Sequence, residues 1–194
     1  MRVYKGMKTI TKANQEIAKT LAGVFGGTPK IARYWDDNKK SCVDIITVEN
    51  APQQYVASYG TIGLSDHALR DEKTRVEFVG ACGARYAEFA NIVATTAFCV
   101  INSKWAVRPG AIFPNIVRMY RNDTEMQHIL LCPPFLWEKL TTLAMEEKTV
   151  AWLLLVPISE REYRFAEANG SDALEDVFVE KQIDVFNLER TSVV

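Results

Sequence analysis

Apolar residues recur every three to four positions near the amino terminus, as they do on one face of an amphipathic helix. This pattern predicts a helix over about Thr9–Phe25, which the glycines Gly26-Gly27 and then Pro29 would end. The repeated positions are Ala13, Ile17, Leu21 and Val24.

Short runs rich in β-branched and aromatic residues follow this helix. Ile31–Trp35 and Val43–Val48 predict two strands joined by the polar turn Asp36-Asp37-Asn38. Tyr55–Tyr59 predicts a further strand before a loop that begins at Gly60. The first third of the chain is therefore predicted to be a helix followed by adjacent strands.

The middle of the chain combines one alternating run with one helical pattern. In Arg75–Val79 the apolar Val76 and Phe78 alternate with Glu77, which is the pattern of a half-buried strand. A helix is then predicted over about Arg85–Asn102. Its apolar face would carry Phe89, Val93, Thr96 and Val100.

Two continuous apolar runs, Met126–Cys132 and Val150–Val156, are typical of central strands that are buried on both faces. Pro133-Pro134 and Pro157 are expected to end them. Because such runs have no periodicity, a buried helix segment remains an alternative for each.

The carboxyl end has clear helix signals. Ser159 with Glu162 three residues later is a capping-box pattern, and Gly170 suits the position after a helix end. Ser171 then opens a second helix whose apolar positions are Leu174, Val177 and Phe178.

The element order is therefore helix, strands, helix, strands and two helices. This order predicts the α/β class of the α+β type, a mixed sheet with helices packed on its faces. No repeat or Pro/Gly/Ser-rich linker divides the chain, so residues 1–194 are predicted to be one domain, with about residues 1–9 as a loose lead.

Composition excludes several functions. The 194 residues hold 23 Lys+Arg against 24 Asp+Glu, and this net charge of -1 is a poor match to nucleic acid. The longest apolar run, Val150–Ile158, is about half of what a membrane helix needs. No apolar stretch of signal-peptide length follows the basic residues Met1–Lys8, so the expected location is the cytoplasm.

The charge is unevenly distributed along the chain. Residues 1–60 carry 9 basic and 5 acidic side chains, whereas residues 151–194 carry 4 basic and 9 acidic ones. A carboxylate surface on the carboxyl-terminal helices could bind a basic partner, although a solvated helix face is the alternative. The candidate partner-binding residues are Glu160, Glu162, Glu167, Asp172, Glu175, Asp176, Glu180 and Asp184.

Candidate catalytic groups are few. The four cysteines are widely separated, which predicts reduced and mostly buried thiols, with Cys82 the first to test for reactivity. His128 lies in a predicted strand and is interpreted as structural.

Ser65, Asp66 and His67 could pass for a hydrolase set, but three adjacent side chains cannot easily line up in series, so a loop-stabilising role is favoured. No short-range metal-ligand cluster or phosphate loop occurs, and no cofactor is expected.

Four segments together resemble the suppressor-of-fused domain family. Trp152–Tyr163, which runs into Gly170–Leu174, resembles its strand, Pro-Ile-Ser-Glu turn and helix. Ile183–Val193 resembles its final Asp-x-x-Arg-x-Ser segment. Tyr59–His67 resembles its Thr-x-Gly-Leu-Ser loop, here Gly63, Leu64, Ser65, Asp66 and His67, and Arg75–Val79 resembles the strand that follows. The resemblance extends from about Ile10 to the end of the chain.

This resemblance implies a mixed, largely antiparallel sheet and a short bacterial form of the family. Bacterial antitoxins of this kind neutralise a secreted toxin that has an LXG secretion domain and a nuclease-like end. The expected partner is therefore a cognate protein toxin, bound without catalysis, cofactor, nucleic acid or membrane. A general protein-binding scaffold is the alternative, followed by an enzyme using Cys82 or the loop Ser65–His67. An unpaired strand edge would also allow a homodimer.

Overall fold

Eight strands form one mixed sheet in the computed structural model, which describes residues 10–67 and 74–194. The strands are β1 (Lys30–Trp35), β2 (Cys42–Glu49), β3 (Val56–Ile62), β4 (Thr74–Gly83), β5 (Ile112–Phe113), β6 (Met126–Cys132), β7 (Leu143–Ala144) and β8 (Thr149–Ser159). The helices are α1 (Lys12–Phe25), α2 (Phe89–Ser103), α3 (Glu160–Asn169) and α4 (Ser171–Lys181). The predicted amino-terminal lead, residues 1–9, lies outside the described residues.

The strand order is β1-β2-β3-β4-β8-β6-β5, and β7 pairs with β8 beside this path. β4 and β8 are parallel, with Thr74 opposite Thr149, and the other strand pairs in the described part of the chain are antiparallel. The predicted mixed, largely antiparallel sheet and the order of helices and strands are confirmed.

Helices cover both faces of the sheet, and each face has its own apolar core. α1, α3 and α4 pack on one face, whereas α2 packs on the other. Two glycines let helices approach the strands closely. A Cβ added at Gly60 would lie 2.7 Å from Leu21 Cδ1 of α1, and one added at Gly80 would lie 2.9 Å from Phe89 Cε1 of α2.

The helix ends follow the sequence signals closely. The Thr11 side chain accepts a hydrogen bond from Asn14 N, so α1 begins at Lys12. The capping box of α3 is confirmed, because Ser159 Oγ accepts from Glu162 N and the Glu162 carboxylate accepts from Ser159 N. α2 begins at Phe89 rather than Arg85, because residues 84–88 form turns after β4.

Three strand expectations are wrong. β3 continues through Gly60 to Ile62, so the following loop begins at Gly63. β4 is buried along most of its length and is not a half-buried strand. β8 continues through Pro157 to Ser159. Its pairing with β4 ends at Leu154, so at Pro157 there is no neighbouring strand on the β4 side, and the missing proline N–H removes no hydrogen bond there.

Candidate functional site

The loop Gly63–His67 folds around the carboxylate of Glu77, a wholly buried residue of β4. Backbone N–H groups of Gly63, Leu64 and Ser65 donate to its two oxygens at 2.9, 3.2 and 3.0 Å. The hydroxyls of Ser65 and Thr61 donate at 2.7 and 2.5 Å. Five donors therefore satisfy one carboxylate, as a buried charge requires.

Burial raises the pKa of Glu77, whereas the five hydrogen bonds favour the ionised form and oppose that rise. The alternating pattern around Glu77 predicted only a half-buried strand. The donors that allow full burial come from a loop 12–14 residues earlier in the chain, and the pairing of β3 with β4 brings that loop to Glu77.

Lys148, just before β8, forms a second layer around the same loop. Its Nζ donates to Ser65 Oγ at 2.8 Å and to Asp66 Oδ1 at 2.7 Å. Asn14 of α1 donates to Asp66 Oδ2 at 3.0 Å. Burial alone would raise the pKa of Asp66, but the hydrogen bonds from Lys148 and Asn14 hold it below its ordinary value. The loop therefore ties α1, β4 and the start of β8 together.

These contacts leave Ser65 without the setting of a nucleophile. Its hydroxyl donates to Glu77 and accepts from the Lys148 ammonium, which is itself paired with Asp66. Ser65 and Glu77 are both buried, so a substrate cannot reach the hydroxyl. His67 ends the loop and is half-buried. The geometry supports the loop-stabilising interpretation of Ser65–His67.

Cys82, the other catalytic candidate, lies in the core of β4. Its thiol donates to the carbonyl oxygen of Phe186 at 3.4 Å. Burial raises the pKa of Cys82 far above its ordinary value, so the thiol form predominates. A reactive cysteine needs an exposed, stabilised thiolate, and Cys82 has neither property.

Glu162 cannot be part of a partner-binding surface, so this sequence expectation is wrong. The residue is wholly buried and forms a two-pronged ion pair with Arg190, with Nη1–Oε1 at 2.6 Å and Nη2–Oε2 at 2.8 Å. Its carboxylate also accepts from the backbone N–H groups of Ser159 and Val193. The ion pair fastens the carboxyl-terminal segment onto the start of α3.

Glu160 and Glu167 reach the surface, but both have partners within the chain. Arg164 donates to Glu160 Oε1 at 2.8 Å and to Glu167 Oε2 at 2.9 Å. Glu160 Oε2 also contacts His128 Nε2 at 2.9 Å. These pairs reduce the negative charge that the two carboxylates present to a partner.

His128 is confirmed as a structural histidine. It is buried, and its Nδ1 accepts a hydrogen bond from Asn115 N at 2.9 Å, which assigns the ring proton to Nε2 beside Glu160. Burial lowers the pKa of His128, although the contact with Glu160 opposes this shift.

Three of the predicted carboxylates share the outer side of α4. They recur every four residues, opposite the buried Leu174 and Phe178. An apolar side chain, 78% exposed, lies among them, and Lys181 pairs with the last carboxylate at 2.8 Å. We call this surface the acidic face; it consists of Asp172, Asp176, Val179 and Glu180.

The last two predicted carboxylates lie beside this surface. Glu175 is half-buried near the Cys132 thiol, and burial raises the pKa of Glu175. Asp184 follows α4 and accepts from Phe186 N at 3.0 Å, which fixes a turn in the terminal segment. The eight predicted partner-binding residues therefore have three different settings. Glu162 and Glu175 are buried or half-buried, and Glu160, Glu167 and Asp184 are paired or turn-forming. Asp172, Asp176 and Glu180 are exposed on the acidic face, where Lys181 pairs with Glu180.

Two surface grooves were missed by the sequence patterns. One, of about 490 Å³, lies between α1 and β1 and includes Ile31 and Arg33. The other, of about 300 Å³, lies between the β1–β2 turn and α2 and includes Trp35 and Tyr120. The only sequence signal for the second is that α2 contains no charged residue, which is unusual for a helix with an exposed side.

Residues 10–67 and 74–194 contain neither a metal-ligand cluster nor a membrane-spanning helix. Within these ranges, no group of three or more His, Cys, Asp or Glu side chains could hold a metal ion. No helix there is long and apolar enough to cross a membrane.

Sequence comparisons identify close relatives of the chain. The family model described as "Suppressor of fused protein (SUFU)" matches residues 39–191. The chain is 46% identical over 190 residues to a protein of Bacillus subtilis (strain 168) named "Immunity protein YqcF". That match covers 95% of this chain and 99% of the relative.

Solved structures share the fold at much lower identity. A putative SUFU homolog from Neisseria gonorrhoeae FA 1090 matches with a TM-score of 0.70 and 18% identity, over 94% of this chain and 97% of the other. A chain of the Sufu–Fu complex matches with a TM-score of 0.70 and 12% identity, over 93% and 92%. Drosophila Suppressor of Fused matches with a TM-score of 0.56 and 13% identity, over 90% of this chain and 45% of that one.

Proposed function

The chain belongs to the suppressor of fused family, and on this premise we propose that it is an immunity protein that neutralises a cognate toxin by binding it. The toxin would be of the LXG type with a nuclease-like end, and binding would take place in the cytoplasm of the producing cell without catalysis. The observation that carries the proposal is the 46% identity to "Immunity protein YqcF", which extends over almost the whole of both chains.

The acidic face suggests how such binding could work. A nuclease must present a basic cleft to its polyanionic substrate, and carboxylates spaced along a helix can occupy that cleft in place of phosphates. Asp172, Asp176 and Glu180 supply the charge, and the exposed Val179 supplies apolar contact beside them. Charge complementarity of this kind mainly raises the association rate and the specificity of a complex.

The settings of the other candidate residues fit a role in binding. Glu77 and Glu162 hold the loop Gly63–His67 and the terminal segment in fixed positions. The two candidate nucleophiles, Ser65 and Cys82, are buried and hydrogen-bonded. These contacts stabilise the fold that presents the acidic face.

Co-expression tests the proposal in cells. The nuclease-like domain of an LXG toxin, taken first from any such gene adjacent to this chain's gene, is expressed from an inducible promoter, with and without the chain. The chain should restore growth and co-purify with the toxin domain. Growth arrest despite abundant folded chain would contradict the proposal, and a catalytically inactive toxin domain serves as the control for expression burden.

A general protein-binding scaffold is the second candidate. The observation in its favour is the fold shared with a chain of the Sufu–Fu complex, at 12% identity. The co-expression experiment separates the two functions, because a scaffold would leave the toxin active.

An enzyme that uses Cys82 is the remaining candidate, and thiol-reactivity profiling tests it. A labelling rate at Cys82 no higher than that of the other buried thiol, Cys132, would argue against this function.

A further inference from the structure

β1 is an edge strand with an unpaired outer side. It lies at one end of the sheet, and among residues 10–67 and 74–194 no strand pairs with it except β2. Five of its six residues are exposed. Edge strands in natural proteins are usually protected by charged side chains, proline, a bulge or a covering element. β1 contains no proline and pairs with β2 in unbroken register, and its charged residues are Lys30 and Arg33.

The charges of β1 are neutralised within the chain. Lys30 Nζ contacts Glu49 at 2.7 Å, and Arg33 forms two bonds with Asp44 at 2.7 and 2.8 Å. Both carboxylates are on β2, directly beside the edge. Because Lys30 and Arg33 already have carboxylate partners, an acidic strand would gain little attraction from them. A strand that is uncharged, or whose charges are neutralised in the same way, could approach the edge without repulsion.

Apolar side chains are exposed along this edge. Ile31 is 54% exposed and Trp35 is 48% exposed. Ile31 and Arg33 line the groove beside α1, whereas Tyr34 packs toward the core under α2. Within β1, Ile31 and Arg33 therefore point to the α1 face and Tyr34 to the α2 face, as strand alternation requires. Trp35, at the end of the strand, lines the groove beside α2.

We propose that β1 pairs with β1 of a second copy of this chain, antiparallel about a two-fold axis at Ala32. A two-fold axis normal to the sheet places the α1 face of one copy beside the α1 face of the other. Residues that lie opposite each other across the axis must then point to the same face, so both must be odd-numbered or both even-numbered. With Ala32 on the axis, Lys30 lies opposite the partner's Tyr34, and Ile31 lies opposite the aliphatic part of the partner's Arg33. The register centred on Arg33 would place two arginines opposite each other, which is unfavourable.

This dimer leaves the acidic face free and does not depend on the proposed function. Three strands, β2, β3 and β4, separate β1 from β8, which amounts to roughly 19 Å across the sheet. α3 packs on β6 and β8, and α4 packs on α3, so the acidic face belongs to the other half of the sheet. Each dimer would present two acidic faces.

The mass of the purified protein tests the pairing, without any toxin. Light scattering over a wide concentration range should show twice the 21.9 kDa of one chain at high concentration. Ile31→Lys should weaken dimerisation at least about tenfold, because it places a new, unpaired charge at the edge. Phe135→Lys, at a similarly exposed apolar site (57%) after β6, should leave it unchanged. A monomer at every concentration would overturn the proposal, whether or not the edge then binds toxin.

Cysteine cross-linking tests the register. With a short homobifunctional thiol linker, Ala32→Cys should give a covalent dimer above the wild-type background, which accounts for the native cysteines. Lys30→Cys, on the same face two residues away, should not, because its counterpart would lie about four residues along the strand. Equal cross-linking of both variants, or cross-linking of Arg33→Cys alone, would contradict the register centred on Ala32.

Discussion

Arg190 holds Glu162 through two parallel hydrogen bonds of 2.6 and 2.8 Å, deep beneath the carboxyl-terminal segment. The guanidinium also donates to the carbonyl of Pro157 and lies 5.4 Å from the ring centre of Phe178. One ion pair thus joins the end of the chain to β8, α3 and α4. The terminal segment is held by this contact as well as by apolar packing.

Removal of the Arg190 charge should therefore destabilise the protein strongly. Arg190→Met keeps much of the side-chain volume but leaves the Glu162 carboxylate buried and unpaired, which costs about 3–5 kcal/mol of unfolding free energy. Urea denaturation measures the change. Arg164→Met breaks the exposed pairs with Glu160 and Glu167 and should cost less than about 1 kcal/mol. Equal losses in the two variants would show that burial does not strengthen the Arg190 contact.

Glu77→Gln should loosen the loop Gly63–His67. The new amide can keep an acceptor at the position of Oε1, but its NH₂ group would face Leu64 N–H and Thr61 Oγ1 in place of Oε2. We expect a loss of about 3 kcal/mol in unfolding free energy, because buried donors lose a charged acceptor. Glu49→Gln, at an exposed ion pair, is the matched control and should change little. Hydrogen exchange at Leu64 and Ser65 should also become faster only in Glu77→Gln.

Because His128 is buried in its neutral form, the unfolding free energy of the protein should fall in mild acid. Because burial lowers the pKa of His128 from the ordinary value of 6.5, the folded protein binds this proton less readily than the unfolded chain does. The stability that neutral His128 contributes is complete above about pH 6.5 and is lost as the pH falls through the lower pKa of the folded state. His128→Asn keeps an acceptor for Asn115 N–H and cannot gain the proton, so its unfolding free energy should fall less between pH 7.5 and 5. Parallel pH profiles for the two proteins would refute this explanation.

The acidic face should control how fast the toxin binds. Reversal of Asp172, Asp176 and Glu180 to lysine should lower the association rate about 10–100-fold at low salt and remove most of its salt dependence. Stopped-flow mixing with the nuclease-like domain measures both. Reversal of the exposed Glu138, Glu146 and Glu147 gives the same change in net charge elsewhere. If this control slows association equally, the effect belongs to total charge rather than to the acidic face.

Local sequence signals predicted the elements well where the cause was itself local. The capping box at Ser159, the glycine after α3 and the strand pair β1–β2 depend on residues a few positions apart, and all were confirmed. The mixed sheet followed from the order of these elements. The family resemblance rested on motifs whose internal roles became visible only in the structure.

The settings of charged residues could not be predicted in the same way. The patterns predicted a half-buried strand around Glu77 and a partner-binding role for Glu162. Both residues are wholly buried because they also have partners distant in sequence, at residues 61–65 and at Arg190. Burial of a charge depends on donors supplied by tertiary contacts, which one-dimensional patterns do not contain. The same reasoning explains Pro157, whose place in β8 depends on where the neighbouring strand ends.

Titration of toxin activity tests the central claim most directly. Increasing amounts of the purified chain are added to a fixed amount of the nuclease-like domain, and the cleavage of nucleic acid is measured. A stoichiometric inhibitor predicts a linear fall that reaches zero at one chain per toxin molecule. Full toxin activity in the presence of excess folded chain, or complete inactivation by far less than one equivalent, would contradict neutralisation by binding.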